Sequence, residues 1–480
     1  MFKERSMKNR KINGFVLSGL IALTGLSSCQ VMNRYKSPGI DSENLYRDEQ
    51  PVDTNTIANI PWQEYFQDPF LQSYIQEALT HNYDMLIVQE RIKQAEAALG
   101  MARAAYFPEL ALTAQANQTR LSSADPLTGA PRERNSLAYH TEKYSLGIVA
   151  SWELDLWGKM NRQSRAKYAQ MLNSYAGRNL MQTSLVSNVA NTYYSLLALD
   201  EQLAVTNHMI VLMEENLETT EALLEAGSAT GAAVEQMRAA LSSTKTSIPD
   251  LESSIRQLEN AICVMLGRKP GRIVRSSIAS QKVPANLSHG VPAQMLARRP
   301  DVNQAELEFR SAFELTNAAR ASFYPSVTLS TGLIGYSTTN GLSQFFKPEN
   351  LFANIVGGMT QPLFARKQLL TQLKVAKSDQ QIALLNFEKT VLTAGQEVSD
   401  VLDTYESSVK KNADRGIQVE SLTKAVSYTQ ELLKAGEVTY LEVLSAQQGL
   451  LEAQLNQVSD KLQQLQASSD LYRALGGGIE

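Results

Sequence analysis

Two cysteines in 480 residues exclude a disulfide framework and a cysteine-rich zinc site. Histidine is almost as scarce. His81, His140, His208 and His289 are the only four, and no two stand at a metal-binding spacing. An excess of one charge is missing too: 45 Lys and Arg face 49 Asp and Glu, a formal net charge of −4. No basic stripe favours a nucleic-acid partner. The charge-free stretch at 12–33 has an apolar centre too short for an ordinary spanning helix. At 43% hydrophobic, the composition is too polar for a bundle of membrane helices. Signatures of catalysis are absent as well. The single Gly-Lys pair, Gly158-Lys159, lacks the upstream glycine of a phosphate loop, and neither His-Glu-x-x-His nor Gly-x-Ser-x-Gly occurs. No reaction, cofactor or metal is therefore expected. At roughly 150 residues per domain the length allows about three domains or one long architecture.

What is present begins with an export address. Lys3, Arg5, Lys8, Arg10 and Lys11 precede the apolar run at 14–26, and Ser27-Ser28-Cys29 follows. A basic region, a short apolar region and small residues make a secretory signal peptide. The ending Leu26-Ser27-Ser28-Cys29 resembles a bacterial lipobox. That resemblance implies cleavage before Cys29 and lipidation of its thiol; a plain signal peptide or short anchor with an incidental Cys is the other reading. Each buried acyl CH₂ contributes ~0.8 kcal/mol to membrane attachment. Gln30, rather than the Asp typical of inner-membrane retention, suggests the outer membrane. The second cysteine, Cys263, sits in Ala261-Ile262-Cys263-Val264-Met265 and reads as a buried apolar thiol. Residues 30–60, with Pro38, Gly39 and Pro51, read as an extended linker.

The chain is written twice. Ala102-Arg-Ala-Ala-Tyr-Phe-Pro108 recurs as Ala319-Arg-Ala-Ser-Phe-Tyr-Pro325, and Leu223-Leu-Glu-Ala-Gly-Ser-Ala-Thr230 as Leu432-Leu-Lys-Ala-Gly-Glu-Val-Thr439. Each copy holds a helical stretch (68–101 and 301–319), two alternating segments around a polar loop, a very long helix to an Ala-Gly pair, and a return helix. Tyr144, Leu146, Ile148, Ala150, Trp152 and Leu154 alternate with polar or small residues, a half-buried strand. Leu110 and Leu112 begin another, Val327, Leu329 and Leu333 a third, and the Gly-containing 351–360 a weaker fourth. Loops at about 121–142 and 338–350 separate the pairs. Val189, Leu196, Leu203, Ile210, Leu217 and Leu224 form a heptad stripe. Val398, Tyr405, Val419, Val426 and Leu433 form its counterpart, broken at Asn412, and Leu444, Leu451, Val458, Leu465 and Tyr472 line the return helix. Such stripes mean coiled-coil packing. Gly158 to Gly227 is ~70 residues, ~100 Å of helix. Pro249 is expected to interrupt the first return helix and restart it. The expected organisation is a signal peptide at 1–28, a lipid-anchored linker at 29–60, a first repeat at 61–268, an equatorial segment at 269–299, a second repeat at 300–475 and a tail at 476–480.

Four such strands can cross an outer membrane, but four cannot close a barrel, and open edges in lipid leave backbone groups unpaired. Either several chains share one barrel or a small soluble β-layer sits on a coiled-coil protein; outer-membrane lipidation favours the first. At this point the chain resembles the TolC-like outer-membrane efflux channels. The resemblance rests on the two Arg-Ala-x-aromatic-aromatic-Pro motifs, Trp152-Glu-Leu-Asp-Leu-Trp-Gly158, Gln361-Pro-Leu-Phe364, Arg298-Arg-Pro-Asp-Val302 and Gly436-Glu-Val-Thr-Tyr-Leu-Glu-Val-Leu444. The lipobox points to the lipidated, OprM-like branch. The resemblance implies a mixed α and β fold with internal duplication. Four membrane strands per chain would join a shared 12-stranded barrel in a homotrimer, continued by an α-helical periplasmic tunnel. It implies a periplasmic adaptor (membrane fusion protein) and an inner-membrane RND-type pump as partners. It also implies that the hairpin tips, Ala226-Gly227-Ser228 and Ala435-Gly436-Glu437, are the closed periplasmic end and the adaptor's contact. Glu442 lies where the family places an acidic ring residue, Ser445 where some members have a second acid, and Val438 beside them at the expected gate. The alternatives are a solvated surface Glu442 and, for the whole chain, a non-conducting lipid-anchored scaffold or adaptor.

Overall fold

The computed structural model describes residues 33–39, 45–46, 56–120, 140–283, 290, 292–339 and 341–479. Cys29, the expected signal peptide and most of the first polar loop lie outside the described residues. In order, the elements are α1 (Trp62–Tyr65), α2 (Pro69–His81), α3 (Tyr83–Ala104), β1 (Glu109–Arg120), β2 (His140–Leu154), α4 (Lys159–Glu225) and α5 (Gly231–Met265). Then follow α6 (Pro292–Arg298), α7 (Pro300–Ala321), β3 (Ser326–Thr338), β4 (Leu351–Thr360), α8 (Gln368–Lys434) and α9 (Tyr440–Ala474). The duplication is visible in the lengths. Helices α4 and α8 have 67 residues each, α5 and α9 have 35, and α3 and α7 have 22.

The chain divides into two compact units. The first comprises Met1–Pro38, Ala95–Met171 and Glu308–Leu384; the second comprises Gly39–Gln94, Leu172–Leu307 and Leu385–Glu480.

The first unit carries one antiparallel sheet in the order β1-β2-β3-β4, so β1 and β4 are its edges. The register pairs Leu112 with Ile148, Ile148 with Ile334, and Tyr336 with Leu351. Because side chains alternate across a strand, this puts Leu110, Leu112, Ile148, Leu329, Ile334, Ile355 and Met359 on one face, all exposed. Gln115, Asn117, Ser145, Ser151, Ser330 and Asn354 occupy the other. The expected phase of β3 needs one correction. A bulge between Thr331 and Ile334 shifts the register, so Leu333 falls out of phase with Leu329, and Ile334 and Tyr336 take its place.

The recurring aromatic motifs lie at the ends of the strands. Trp152 Nε1 donates to Tyr106 O (2.8 Å), Trp157 Nε1 to Pro325 O (2.7 Å), and Gln361 Nε2 to Phe323 O (3.1 Å). The motifs' carbonyls are thus held by the residues that enter and leave the sheet. Beneath it, fully buried Glu314 is paired with Arg162 (2.7 Å) and Arg165 (3.0 Å). Burying such a group without partners of opposite charge is costly.

The second unit holds the main core. Leu71, Ile75, Val189, Tyr193, Leu196, Ile262, Val398, Leu471 and Tyr472 are buried in it. The heptad residues Val189, Leu196, Val398, Val426, Leu433 and Leu465 are all buried, whereas Leu224, near a helix end, is exposed. The single helix expected at 68–101 is two helices. Asn82 ends α2 and caps α3, its Oδ1 accepting from the N–H groups of Asp84 (2.9 Å) and Met85 (3.2 Å), while its Nδ2 donates to Met265 O. Pro249, expected to break the return helix, lies inside a continuous α5. The side chain is exposed, so water can reach the carbonyl it leaves without a donor, and the hydroxyls of Thr244, Thr246 and Ser247 bond the carbonyls one turn earlier. The linker expected at 29–60 is not free along its length. Tyr46 and Ile57 are buried in this core, because apolar side chains in a polar segment gain from docking.

The Arg298-Arg-Pro-Asp-Val302 motif also has a structural task. Arg299, 5% exposed, donates to both carboxylate oxygens of Asp301 (3.0 and 2.7 Å), pairs with Glu397 (2.7 Å) and bonds Ala474 O (2.8 Å). Burial works against its charge, but the two carboxylates outweigh it and raise its pKa.

Candidate gate and docking site at the hairpin tips

Both long helices end the same way. Gly227 (φ 78°) and Gly436 (φ 74°) adopt the left-handed conformation that glycine takes without steric cost. Gly227 N–H bonds Leu224 O (3.0 Å) and Ser228 N–H bonds Leu223 O (2.8 Å). In the second copy Gly436 N–H bonds Leu433 O (3.0 Å) and Glu437 N–H bonds Leu432 O (2.9 Å). These are paired Schellman turns, which satisfy carbonyls the helix leaves open. Ala226, Gly227, Ser228, Ala435, Gly436 and Glu437 are all exposed, so the tips present backbone, small side chains and the Glu437 carboxylate to solvent.

The return helices start differently. Thr230 caps α5, its hydroxyl accepting from Ala233 N–H (3.3 Å). Thr439 caps α9 in a full capping box: Glu442 reaches back, and its Oε2 accepts from Thr439 N–H (2.7 Å) and from the Thr439 hydroxyl. The Thr439 hydroxyl and then its N–H hold the Glu442 carboxyl below the usual carboxylate range, so it is ionised at neutral pH. The Thr-x-x-Glu spacing in the sequence is the signal for this cap. Ser445 is exposed one turn further along α9 and Val438 is half-buried in the turn. The two tips touch through Tyr440 OH, which donates to Gln236 Oε1 (2.6 Å), over buried Ala233, Val234, Leu433 and Val443. Glu235, in the first hairpin, is paired with Arg238 (2.6 Å), which also pairs with Glu221 (2.8 Å). One chain therefore offers a single pre-oriented carboxylate, Glu442, beside two exposed turns. Among the described residues no cluster of His, Cys, Asp or Glu could hold a metal ion.

The family model for outer membrane efflux proteins matches residues 74–268 and 291–477. The chain belongs to the outer membrane efflux protein family. It is 28% identical over 483 residues to the probable outer membrane lipoprotein SilC of Salmonella typhimurium, covering 100% of this chain and 99% of that one. It is 28% identical to the toluene efflux pump outer membrane protein TtgI of Pseudomonas putida, covering 96% and 97%. The solved outer-membrane channel OprN superposes with a TM-score of 0.84 at 24% identity, over 94% of this chain and all of that one. The protein is accordingly an outer-membrane efflux channel, and its TolC-like architecture joins a four-stranded membrane sheet to long duplicated helices.

Proposed function

We propose that the chain is one third of a passive conduit through which small toxic compounds, handed over by an inner-membrane pump and a periplasmic adaptor, leave the cell. One observation carries this reading. The sheet has two edges, β1 and β4, with no partner strand among the described residues, and an exposed apolar face. Strands of 12, 15, 13 and 10 residues are long enough to span. In lipid each unpaired backbone group costs several kcal/mol, so the edges must meet those of further copies. Three copies give the twelve strands of the TolC-like pattern, with apolar residues outward and Gln115, Asn117, Ser145 and Ser330 lining the bore.

Cys29 carries the lipid that holds the chain at the outer membrane. The exposed turns at 226–228 and 435–437 take the adaptor. Glu442, Val438 and Ser445 form the narrow periplasmic end, where three Glu442 carboxylates attract cations and repel one another. The pump sets the cargo; the toluene in the name of one relative fits a conduit for small toxic molecules. Native mass spectrometry of the detergent-solubilised protein tests the assembly. A mass three times that of the acylated mature chain is expected. A stable monomer that still conducts ions would overturn the shared barrel.

A further inference from the structure

We propose that Tyr35 and helix α7 form an aromatic clamp that fixes the lipid-bearing end of the chain at one rim of the sheet; the role rests on the reading of Cys29 as acylated. Phe309 and Phe313, four residues apart, share one face of α7. The Tyr35 ring lies 6.0 Å from the Phe309 ring and 5.6 Å from that of Phe313, nearly edge-on to the latter at 72°. The Arg310 guanidinium sits 5.6 Å from the centre of the Tyr35 ring, within cation–π range. Asn317, fully buried, donates from Nδ2 to Asn33 O (3.2 Å). These contacts involve a polar segment that the sequence marks only as linker.

They also give it a direction. From Tyr35 back to Asn33 the contacts move from Phe309 and Phe313 to Asn317, so the segment runs antiparallel to α7, and its upstream end heads for the helix C-terminus. There α7 ends at Ala321 and β3 begins at Ser326. In the turn between them Tyr324 stacks on Trp157 (5.0 Å, 26°), whose indole holds Pro325 O. Tyr and Trp at the ends of barrel strands mark the membrane–water interface. Cys29 precedes Asn33 by four residues, a reach of at most about 14 Å. The acyl chain is thus delivered where the aromatic rim meets the bilayer.

The clamp matters because it shortens the tether. Further along the chain, Leu45 packs over Gly395. Counted back from Leu45 instead of Asn33, the distance along the chain to Cys29 grows from four residues to sixteen. Effective concentration falls roughly as the −3/2 power of length, so losing the clamp dilutes the lipid at the rim by up to about eightfold.

The test uses the full chain expressed into its own membrane, as wild type, Tyr35→Ala and Tyr35→Phe. Three readouts are taken: the mass of the N-terminal peptide, the rate at which inserted oligomer forms in a pulse-chase, and the distance between nitroxides at Asn33→Cys and Ser326→Cys in a Cys263→Ser background. Tyr35→Ala should keep wild-type acyl mass, broaden the distance distribution and slow assembly by up to about eightfold. Tyr35→Phe, which keeps the ring packing, should assemble at close to the wild-type rate. Normal acylation with an unchanged distance and rate in Tyr35→Ala would overturn the clamp alone. A wild-type N-terminal peptide without acyl mass would refute the Cys29 reading and the anchoring role with it.

Discussion

Replacing Asp68 should destabilise the helical unit more than any cap of an isolated helix would. Its Oδ1 caps α2 through Phe70 N–H (2.9 Å) and Leu71 N–H (3.4 Å). Its Oδ2 accepts from Tyr193 OH (2.9 Å), Gln281 Nε2 (2.7 Å) and the Ser276 hydroxyl. One carboxylate, 8% exposed, thus joins the start of α2, the middle of α4 and the segment between the repeats. Losing the cap costs about 1 kcal/mol. The buried donors left behind cost about 1–3 kcal/mol each when unpaired. Gln281 and Ser276 can still bond one another (2.7 Å), so about one orphan remains. Asp68→Ala should therefore lose about 2–4 kcal/mol. Asp68→Asn, which keeps the cap acceptor, should lose less. Urea unfolding can be followed by the fluorescence of buried Trp62, in a background where Trp152 and Trp157, the other two tryptophans, are phenylalanine. Burial acts to raise the Asp68 pKa, but the bonds from Ser276, Gln281, Tyr193 and the Phe70 N–H outweigh it and hold the group below the ordinary range. For a depressed pKa the stabilisation is complete above the unfolded value, about 3.9, and disappears as pH falls through the lower folded value. The gap between wild type and Asp68→Asn should hold from pH 7 to about pH 4 and close below it. A loss under about 0.5 kcal/mol for Asp68→Ala at pH 7, the scale of an ordinary surface change, would refute the reasoning.

Two further substitutions probe the tip and the sheet. Glu442→Gln keeps a side chain able to complete the capping box, so it removes charge without removing the helix start. Cation selectivity and divalent-ion block from the periplasmic side should both weaken, while Glu235→Gln leaves them unchanged; equal behaviour of Glu442→Gln and wild type in single-channel records would make Glu442 a surface residue. Gly335→Ala should reduce the yield of inserted oligomer, measured in membrane fractions, because its Cβ would collide with Leu146 O and stand 2.5 Å from Gly147 Cα. Gly357→Ala is the matched control, since its Cβ would meet only Leu329 Cδ1 at 3.9 Å, and equal yields would sink the argument.

The long-range organisation was legible in the residues because it rests on periodicity. Motifs repeated at offsets of 217 and 209 became helices of matched length, and heptads became buried stripes. Strand four, marked weak by Gly357 and Gly358, still forms over Leu351–Thr360, because pairing with β3 supplies what propensity lacks. Features set by single tertiary contacts were not legible. Asn82 breaks a helical run because its amide serves two elements at once, Oδ1 capping α3 and Nδ2 holding the Met265 carbonyl. Pro249 stays in a helix because its exposed position leaves the freed carbonyl open to water. The bulge in β3 is a matter of register, invisible to alternation read on one strand. Tyr35 in a polar segment showed no period, since its partners Phe309 and Phe313 are distant in sequence. At the site, the two Ala-Gly turns could be read from composition. The capping role of Glu442 was missed, although Thr439 three residues earlier is its signal; it accounts for an acid there in the second copy, where the first has Ala233.

The central claim is that copies of this chain complete a conducting barrel. Recording from the purified protein in planar bilayers tests it most directly. Discrete cation-selective current steps of uniform size are expected, their selectivity reduced by Glu442→Gln. Silence of both the wild type and Glu442→Gln, at a density where insertion into the bilayer has been verified, would contradict the account.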